Sequence, residues 1–259
     1  MINRIISSRI KYFSAFIIYL IMVLCAFAPC VNAEFSTFNN KKIVVLDPGH
    51  GGYDEGATGP EGTYEKTITL NLAQMIATEL ENKYRPVLTR TEDYSLDIYD
   101  RTAVANHLEA ELFVSIHVAG SFLHKANGIT VYYFKEKLDP NVNFEGTASK
   151  NDKTDSSQYA WNNIQKKYIK KSRAFAELMQ LQISDKIKQA ETTMHGAPIA
   201  LLSGADMPAV LIEIGYISNP DEEKRMNDPE FLSEFAKVIC ETISNFLSGK
   251  PDNISCADN

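Results

Sequence analysis

From residue 42 onward the chain alternates between two hydrophobic periods, and that alternation limits the fold more tightly than any other feature. "KIVVLD" (42–47) is a short β-branched run that stops at a turn, which reads as a buried strand. "EKTITLNLAQMIATELENK" follows with Ile68, Leu72, Met75, Ile76 and Leu80 at helical spacing. "PVLTR" is a second strand, and "SLDIYDRTAVANHLEA" is a second helix with a serine cap at Ser95 and Leu96, Ile98, Val104 and Leu108 on its apolar face. "ELFVSIH" and "GITVYYF" add strands. After a polar interruption at 135–157, residues 159–187 return to helical spacing. "PIALLS" and "PAVLIEI" supply two more strands, and "DPEFLSEFAKVICETISNFL" is a closing amphipathic helix with Asp228-Pro229 at its start. This order predicts an α/β fold: a single domain with a mixed, mostly parallel sheet of about six strands and helices on both faces.

The flanks read differently. Residues 1–33 have the form of a signal peptide, with Arg4, Arg9 and Lys11 ahead of an apolar stretch and Val31-Asn32-Ala33 at the cleavage position. The apolar stretch is interrupted by Tyr19 and Pro29 and is short for a spanning helix, so the chain meets the membrane only during export. A short linker (34–40), the folded domain (41–248) and a disordered tail (249–259) complete the expected layout. The chain carries 26 Lys and Arg against 33 Asp and Glu. Cleavage would remove three of the basic residues and none of the acidic ones, leaving a net charge of about −10, which argues against nucleic acid as a partner. It favours a polymer or small molecule outside the cytoplasm, in a periplasm or a cell wall. Of four cysteines, Cys240 and Cys256 remain after cleavage. They have no zinc-finger spacing with the histidines, so any metal must be held by His and carboxylates. Cys240 reads as a buried free thiol, with a pairing to Cys256 left open.

Chemistry-bearing residues recur at one structural place. In "VVLDPGHGGYDEGATGPEGTYEK" (44–66), His50 follows the first strand and Glu65 opens the first helix. His117 ends "LFVSIH", and Glu213 lies at the end of "AVLIEIG". Ligands gather at the carboxyl ends of strands in open α/β sheets, so the four side chains should share one pocket. His50, Glu65 and His117 form a donor set suited to Zn2+, whose catalytic sites use three protein ligands and leave a position for water. Glu213, flanked by Leu211, Ile212 and Ile214, should be desolvated, with a raised pKa suited to general acid–base work. Each residue alone also has a plain structural reading. A turn histidine can cap backbone groups, a strand-end histidine can be a satisfied core residue, and a carboxylate at a helix start is favoured by the dipole. The glycine-rich turn lacks the lysine and serine of a phosphate loop. His107, His124 and His195 read as solvated helix or loop residues.

The blocks "VVLDPGHGGYDEGATGPEGTYEK", "LTRTED", "RTAVAN", "LFVSIH" and "MPAVLIEIGYISNPDEEKRM", in this order, resemble the zinc-dependent N-acetylmuramoyl-L-alanine amidases of the type-3 amidase family, over about residues 41–247. The resemblance implies a peptidoglycan hydrolase that cuts the amide between N-acetylmuramic acid and the L-alanine of the stem peptide, in wall remodelling or daughter-cell separation. It implies zinc binding by His50, Glu65 and His117 and an acid/base role for Glu213. Two departures stand out. The family follows "SIH" with a small residue, asparagine and another small residue, whereas this chain has Val118-Ala119-Gly120-Ser121. The 135–157 insertion lies where division-associated members carry a helix that plugs the active site until a partner protein displaces it. Glu136, Asp139 or Glu145 would supply the plugging carboxylate, and an activator protein would relieve it. Two rivals are a carboxypeptidase, which would use an arginine such as Arg101 to hold a terminal carboxylate, and a non-catalytic wall-binding protein that keeps the fold.

Overall fold

Strand β1 (Ile43–Pro48) lies inside the sheet, with Val44, Val45 and Leu46 at 0% exposure because helices cover both of its faces. The computed structural model describes residues 41–122, 124–136, 164–187 and 191–249, together with Phe16, Ile17, Tyr19 and Met22. The chain divides into two compact units, one up to residue 41 and one from residue 42 onward. In the first, Phe16, Ile17, Tyr19 and Met22 are helical and exposed, and Lys41 is a half-buried bend residue. Among the described residues, no helix is long and apolar enough to cross a membrane. The expected cleavage site, the linker, residues 137–157 of the insertion and all of the tail beyond Gly249 lie outside the described residues.

In the second unit the other strands are β2 (Arg85–Leu88), β3 (Leu112–Ala119), β4 (Ile129–Phe134), β5 (Thr192–Ala197) and β6 (Ala209–Tyr216). They form a six-stranded sheet in the order β2-β1-β3-β6-β4-β5. The β1–β2, β1–β3, β3–β6 and β4–β5 pairs are parallel, and the β4–β6 pair is antiparallel. The expected mixed, mostly parallel sheet is therefore present. Helices α1 (Glu65–Leu80), α3 (Ile169–Lys186) and α6 (Pro229–Ser248) cover one face, where Leu112, Val114, Ile116 and Val118 point. Helices α2 (Ile98–His107) and α4 (Ala200–Ser203) cover the other, where Phe113 and Leu211 point. Alternate β3 residues thus serve two cores, as the pleat requires. Asp228 caps α6 by accepting from the Glu230 amide, Pro229 follows it, and Gly249 ends the helix in the left-handed conformation.

Four sequence expectations are corrected. "PIALLS" is not a strand. The fifth strand is the preceding "TTMHGA", after which Pro198 intervenes and Ala200–Ser203 turns into helix α4 with Leu201 and Leu202 buried. A short apolar run carries no period that separates strand from helix, and β5 sits at the sheet edge, where a strand needs few apolar residues. His195 consequently belongs to a strand and not to a loop. The second helix is capped by Asp97, which accepts from the Tyr99 amide; Ser95 Oγ instead donates to the Gly51 carbonyl. The buried face of α2 is Arg101, Thr102 and Ala105, while Ile98 is exposed. That face is polar because it meets the backbone of the turn after β1.

Candidate metal centre

Two buried arginines build the turn that carries His50. Arg90 donates through Nε to the Pro48 carbonyl (3.0 Å) and through a terminal nitrogen to the Gly49 carbonyl (2.7 Å). Arg101 donates to the carbonyls of Pro48 (2.8 Å) and His50 (2.9 Å) and to Asp47 Oδ1 (2.9 Å). Asp47 is fully buried and also accepts from Thr89 Oγ1 and Ser115 Oγ. Three successive carbonyls are thus pinned by charge-assisted donors from two other elements. His50 has φ +60°, an uncommon conformation for a residue with a side chain. It persists because the surroundings over-determine it. Arg101 is fully engaged in this bracing, which leaves it no role as a clamp for a terminal carboxylate.

On that frame, His50, Glu65 and His117 converge, with one potential ligand atom from each lying within 4.8 Å of the others. Glu65 Oε2 is 3.1 Å from His50 Nε2, and Oε1 is 3.0 Å from His117 Nδ1. The same carboxylate accepts from the amides of Ala57 and Val118, both at 2.8 Å, which fixes its orientation. The second nitrogen of His50, Nδ1, donates to Asp54 Oδ2 at 2.8 Å. A carboxylate behind an imidazole in this way sets its tautomer and turns the other nitrogen toward a ligand position. Glycines make the space. A Cβ on Gly49 would lie 2.5 Å from the His117 ring, and one on Gly56 would lie 2.6 Å from Glu65 Oε2 and 2.7 Å from His50 Cδ2.

The electrostatics call for a positive charge. Burial opposes a charged His50, yet the hydrogen bonds and charges of Glu65 and Asp54 outweigh it and raise its pKa. Burial also opposes ionisation of Glu65, but the hydrogen bonds from His117 and His50 win and hold its carboxyl well below the usual range. Two imidazoles and a committed carboxylate, backed by a further carboxylate, suit a divalent cation of borderline character. The residues fit a metal.

Glu213 reaches the same edge from β6, where it is the register partner of His117. It is partly buried, and Tyr132 Oη of β4 donates to its Oε2 at 3.3 Å. Burial pushes its pKa up to about 7; the nearby His117 opposes this and the Glu65 charge reinforces it. A groove over the α2 and α4 face leads away from His50 and His117, lined by Leu96, Ile98, Ile199 and Leu201. The structure thus brings together all four residues expected at the site. His107 stays exposed on α2, and His124 is tied to the Ser218 carbonyl. Sequence reasoning missed Asp54, whose only signal was its place four residues after His50 in a glycine-rich turn. It also missed Tyr132, which lies diagonal to Glu213, two residues along β4 from the partner Thr130, in an antiparallel pairing invisible in the sequence.

Fold and site together define an α/β enzyme domain with a candidate metal centre at the carboxyl edge of its sheet. The family model described as N-acetylmuramoyl-L-alanine amidase matches residues 44–245, and the chain belongs to that family: it is a peptidoglycan amidase. The amidase AmiA of Salmonella typhimurium is 29% identical over 222 residues, covering 80% of this chain and 77% of AmiA. Among solved structures, the catalytic domain of the amidase CwlV from Bacillus (Paenibacillus) polymyxa var. colistinus is 30% identical with a TM-score of 0.63, covering 80% of this chain and 98% of that one. The amidase AmiC2 of Nostoc punctiforme is 27% identical with a TM-score of 0.64, covering 81% and 98%.

Proposed function

We propose that the protein is an exported, zinc-dependent hydrolase of the bond between N-acetylmuramic acid and L-alanine, with zinc held by His50, Glu65 and His117 and with Glu213 as the acid/base. The observation that carries this reading is the meeting of three ligand-type side chains from three separate elements, with a fourth, ionisable carboxyl in register beside one of them. Zinc bound there supplies Lewis acidity toward the scissile carbonyl and acidifies water. Glu213 accepts a proton as water adds to the carbonyl carbon, then returns it to the L-alanine nitrogen as the C–N bond breaks. Tyr132 fixes one Glu213 oxygen, which leaves the other to carry that proton. Asp54 holds the His50 ring through Nδ1, and Arg90 and Arg101 hold the turn below it.

Export, with action in a periplasm or cell wall, is supported by the pattern of residues 1–33. An inhibitory role for the 135–157 insertion, relieved by an activator protein, extends the same reading. Of its three candidate carboxylates, Asp139 and Glu145 lie outside the described residues, and Glu136 is paired with Lys166. Deleting residues 137–156 should raise basal activity on purified sacculi; unchanged activity removes the inhibitory role.

The test of the main reading joins elemental analysis to mass spectrometry of wall digests before EDTA, after it, and after zinc is restored. The expected products are peptides with a new L-alanine amino terminus, lost with the metal and regained with zinc. Release of single amino acids would make the protein a peptidase, and full activity in the stripped protein would overturn the metal assignment.

A further inference from the structure

We propose that tyrosines on the His50 side of the site form a surface that binds the sugar rings of the glycan strand, an inference that rests on the amidase reading. Among the described residues from 42 onward, the exposed aromatic side chains are Tyr53, Tyr64, Tyr94, Tyr99 and Phe122. All five lie on loops or first helical turns at the carboxyl edge of the parallel strands, the edge that holds the metal cluster. The other large exposed apolar residues are Ile98 on that edge and Leu181 on α3. Among the described residues from 42 onward the other Phe and Tyr rings are buried or half-buried, and the display of these five along one edge marks a contact surface.

Three of the rings belong to one construction around Lys66. Its ammonium donates to the Gly52 carbonyl, next to Tyr53, and to Asp93 Oδ2, next to Tyr94, each at 2.8 Å. The same ammonium lies 5.9 Å from the centre of the Tyr64 ring. Asp93 Oδ1 accepts from the Gly52 amide at 2.7 Å, which closes the link between the two loops. The backbones also meet directly: a Cβ on Gly51 would lie 2.3 Å from the Tyr94 carbonyl oxygen, and one on Gly52 would lie 2.5 Å from Ser95 Oγ. The rings are therefore carried on backbone that is fixed before any ligand arrives, which lowers the entropic cost of binding. Tyr53 is fully exposed, while Tyr64 and Tyr94 keep 38% and 43% of their surface open.

The chemistry of this surface fits a pyranose. The axial C–H bonds of a sugar present a flat, apolar, weakly positive face, which complements the negative face of an aromatic ring. The equatorial hydroxyl and acetamido groups stay at the rim, where Lys66 and Asp93 offer donors and acceptors. Because Lys66 and Asp93 neutralise one another, the patch does not select a charged ligand. Tyr53 follows His50 by three residues and Tyr64 directly precedes Glu65, so a strand held here runs past the cluster that takes its lactyl amide. The apolar groove on the α2 and α4 side is left for the stem peptide.

The test measures binding of peptide-free glycan strands, and separately of free stem peptide, to the metal-loaded protein by NMR titration. Three variants are compared with the parent: Tyr53→Ala, Tyr53→Ala combined with Tyr94→Ala, and Tyr53→Trp. Loss of both rings should weaken glycan binding about tenfold, with the single alanine variant between. Tyr53→Trp should keep the affinity and shift its indole emission when glycan is added. Tyr53→Ala alone keeps the test valid if the double variant fails to fold, since Tyr53 packs on nothing. Glycan binding that is equal in parent and alanine variants overturns the inference, as does a loss confined to stem peptide. Product analysis of the parent protein runs in parallel. If L-alanine-terminated peptides appear while glycan binding ignores the tyrosines, only this inference falls; if they do not appear, the amidase reading falls and takes the inference with it.

Discussion

Glu213 stands opposite His117 across the β3–β6 ladder, the two residues being Cα partners in parallel register. A carboxyl on one strand therefore faces a ligand-type imidazole on the next with no loop between them, and its position is set by sheet hydrogen bonds. The placement costs free energy when no cation is bound, because burial penalises the charged carboxyl and, of its two oxygens, Tyr132 reaches only Oε2.

Stability of the metal-free protein should therefore fall with rising pH through one identifiable group. The carboxyl has an ordinary pKa of 4.5, which burial raises to about 7 in the fold. Below pH 4.5 both states keep the proton and the contribution is fully present. As pH rises through about 7 the unfolded chain has released its proton while the fold resists doing so, and the contribution is lost. Glu213→Gln should remove this dependence and make the EDTA-treated protein more stable at pH 8, by on the order of 2 kcal/mol, with little change at pH 4. Urea unfolding at both pH values checks it. A parent and variant that respond alike to pH would show that Glu213 is solvated.

Gly56 should be irreplaceable for metal binding and not merely for backbone freedom. It has φ +70°, and an added Cβ would press on both Glu65 Oε2 and His50 Cδ2. Gly62 is the control, since it has φ +88° with nothing within 4 Å of the Cβ position. Both alanine variants should lose about 1–2 kcal/mol from left-handed strain. Only Gly56→Ala should also lower zinc affinity, by roughly 10- to 100-fold in chelator competition. Equal affinities in the two variants would mean that the ligands do not depend on the space Gly56 leaves.

How far the sequence discloses this site depends on what each residue needs. His50, Glu65, His117 and Glu213 were legible because strand ends and helix starts can be read from periodicity, and one edge of an α/β sheet collects them. The helix carrying Arg101 was legible, but its buried face was not. An apolar-periodicity argument selects Leu96 and Ile98, whereas α2 packs its arginine against carbonyls that only the folded turn presents. Strand β5 was missed for a similar reason: an edge strand of threonine, methionine, histidine and glycine has no hydrophobic run to reveal it. Asp54 and Tyr132 act through contacts set by turn geometry and strand pairing, and neither has a local signature.

Cys240 should behave as an inert thiol. It is buried, its pKa is pushed up to about 12 by burial with the Glu79 and Glu241 charges adding to the effect, and its Sγ approaches the Ile76 carbonyl at 3.5 Å. The thiolate is the reactive form. Iodoacetamide at pH 8 should leave the Cys240 peptide unmodified in the native protein and alkylate it in urea, as read by mass spectrometry. Rapid native labelling would show that the α1–α6 contact opens.

The last prediction concerns two consecutive carboxylates on α5 (Pro220–Met226), both buried. Glu222 accepts from the Tyr216 amide at 2.6 Å and pairs with Arg225, which holds the end of the strand that bears Glu213. Glu223 turns the other way and accepts from the amides of Glu61 (2.9 Å) and Thr63 (3.1 Å), in the loop that leads into Glu65. Gly59 leaves room for that carboxylate, since a Cβ there would lie 2.2 Å from Glu223 Oε1. One helical turn thus fastens both the proton-transfer strand and the loop carrying a metal-binding carboxylate. Glu223→Ala strands two amide donors and should cost about 2–4 kcal/mol. Glu223→Gln keeps the shape but has only one accepting oxygen, so it should cost less. In both variants the Glu61 and Thr63 amides should exchange faster with solvent, and zinc affinity should fall because the backbone preceding Glu65 is no longer held. Hydrogen exchange read by NMR and chelator competition measure the two effects separately. If both amides of the alanine variant exchange at the parent rate, the loop is held by its own turns and the fastening role of Glu223 is wrong.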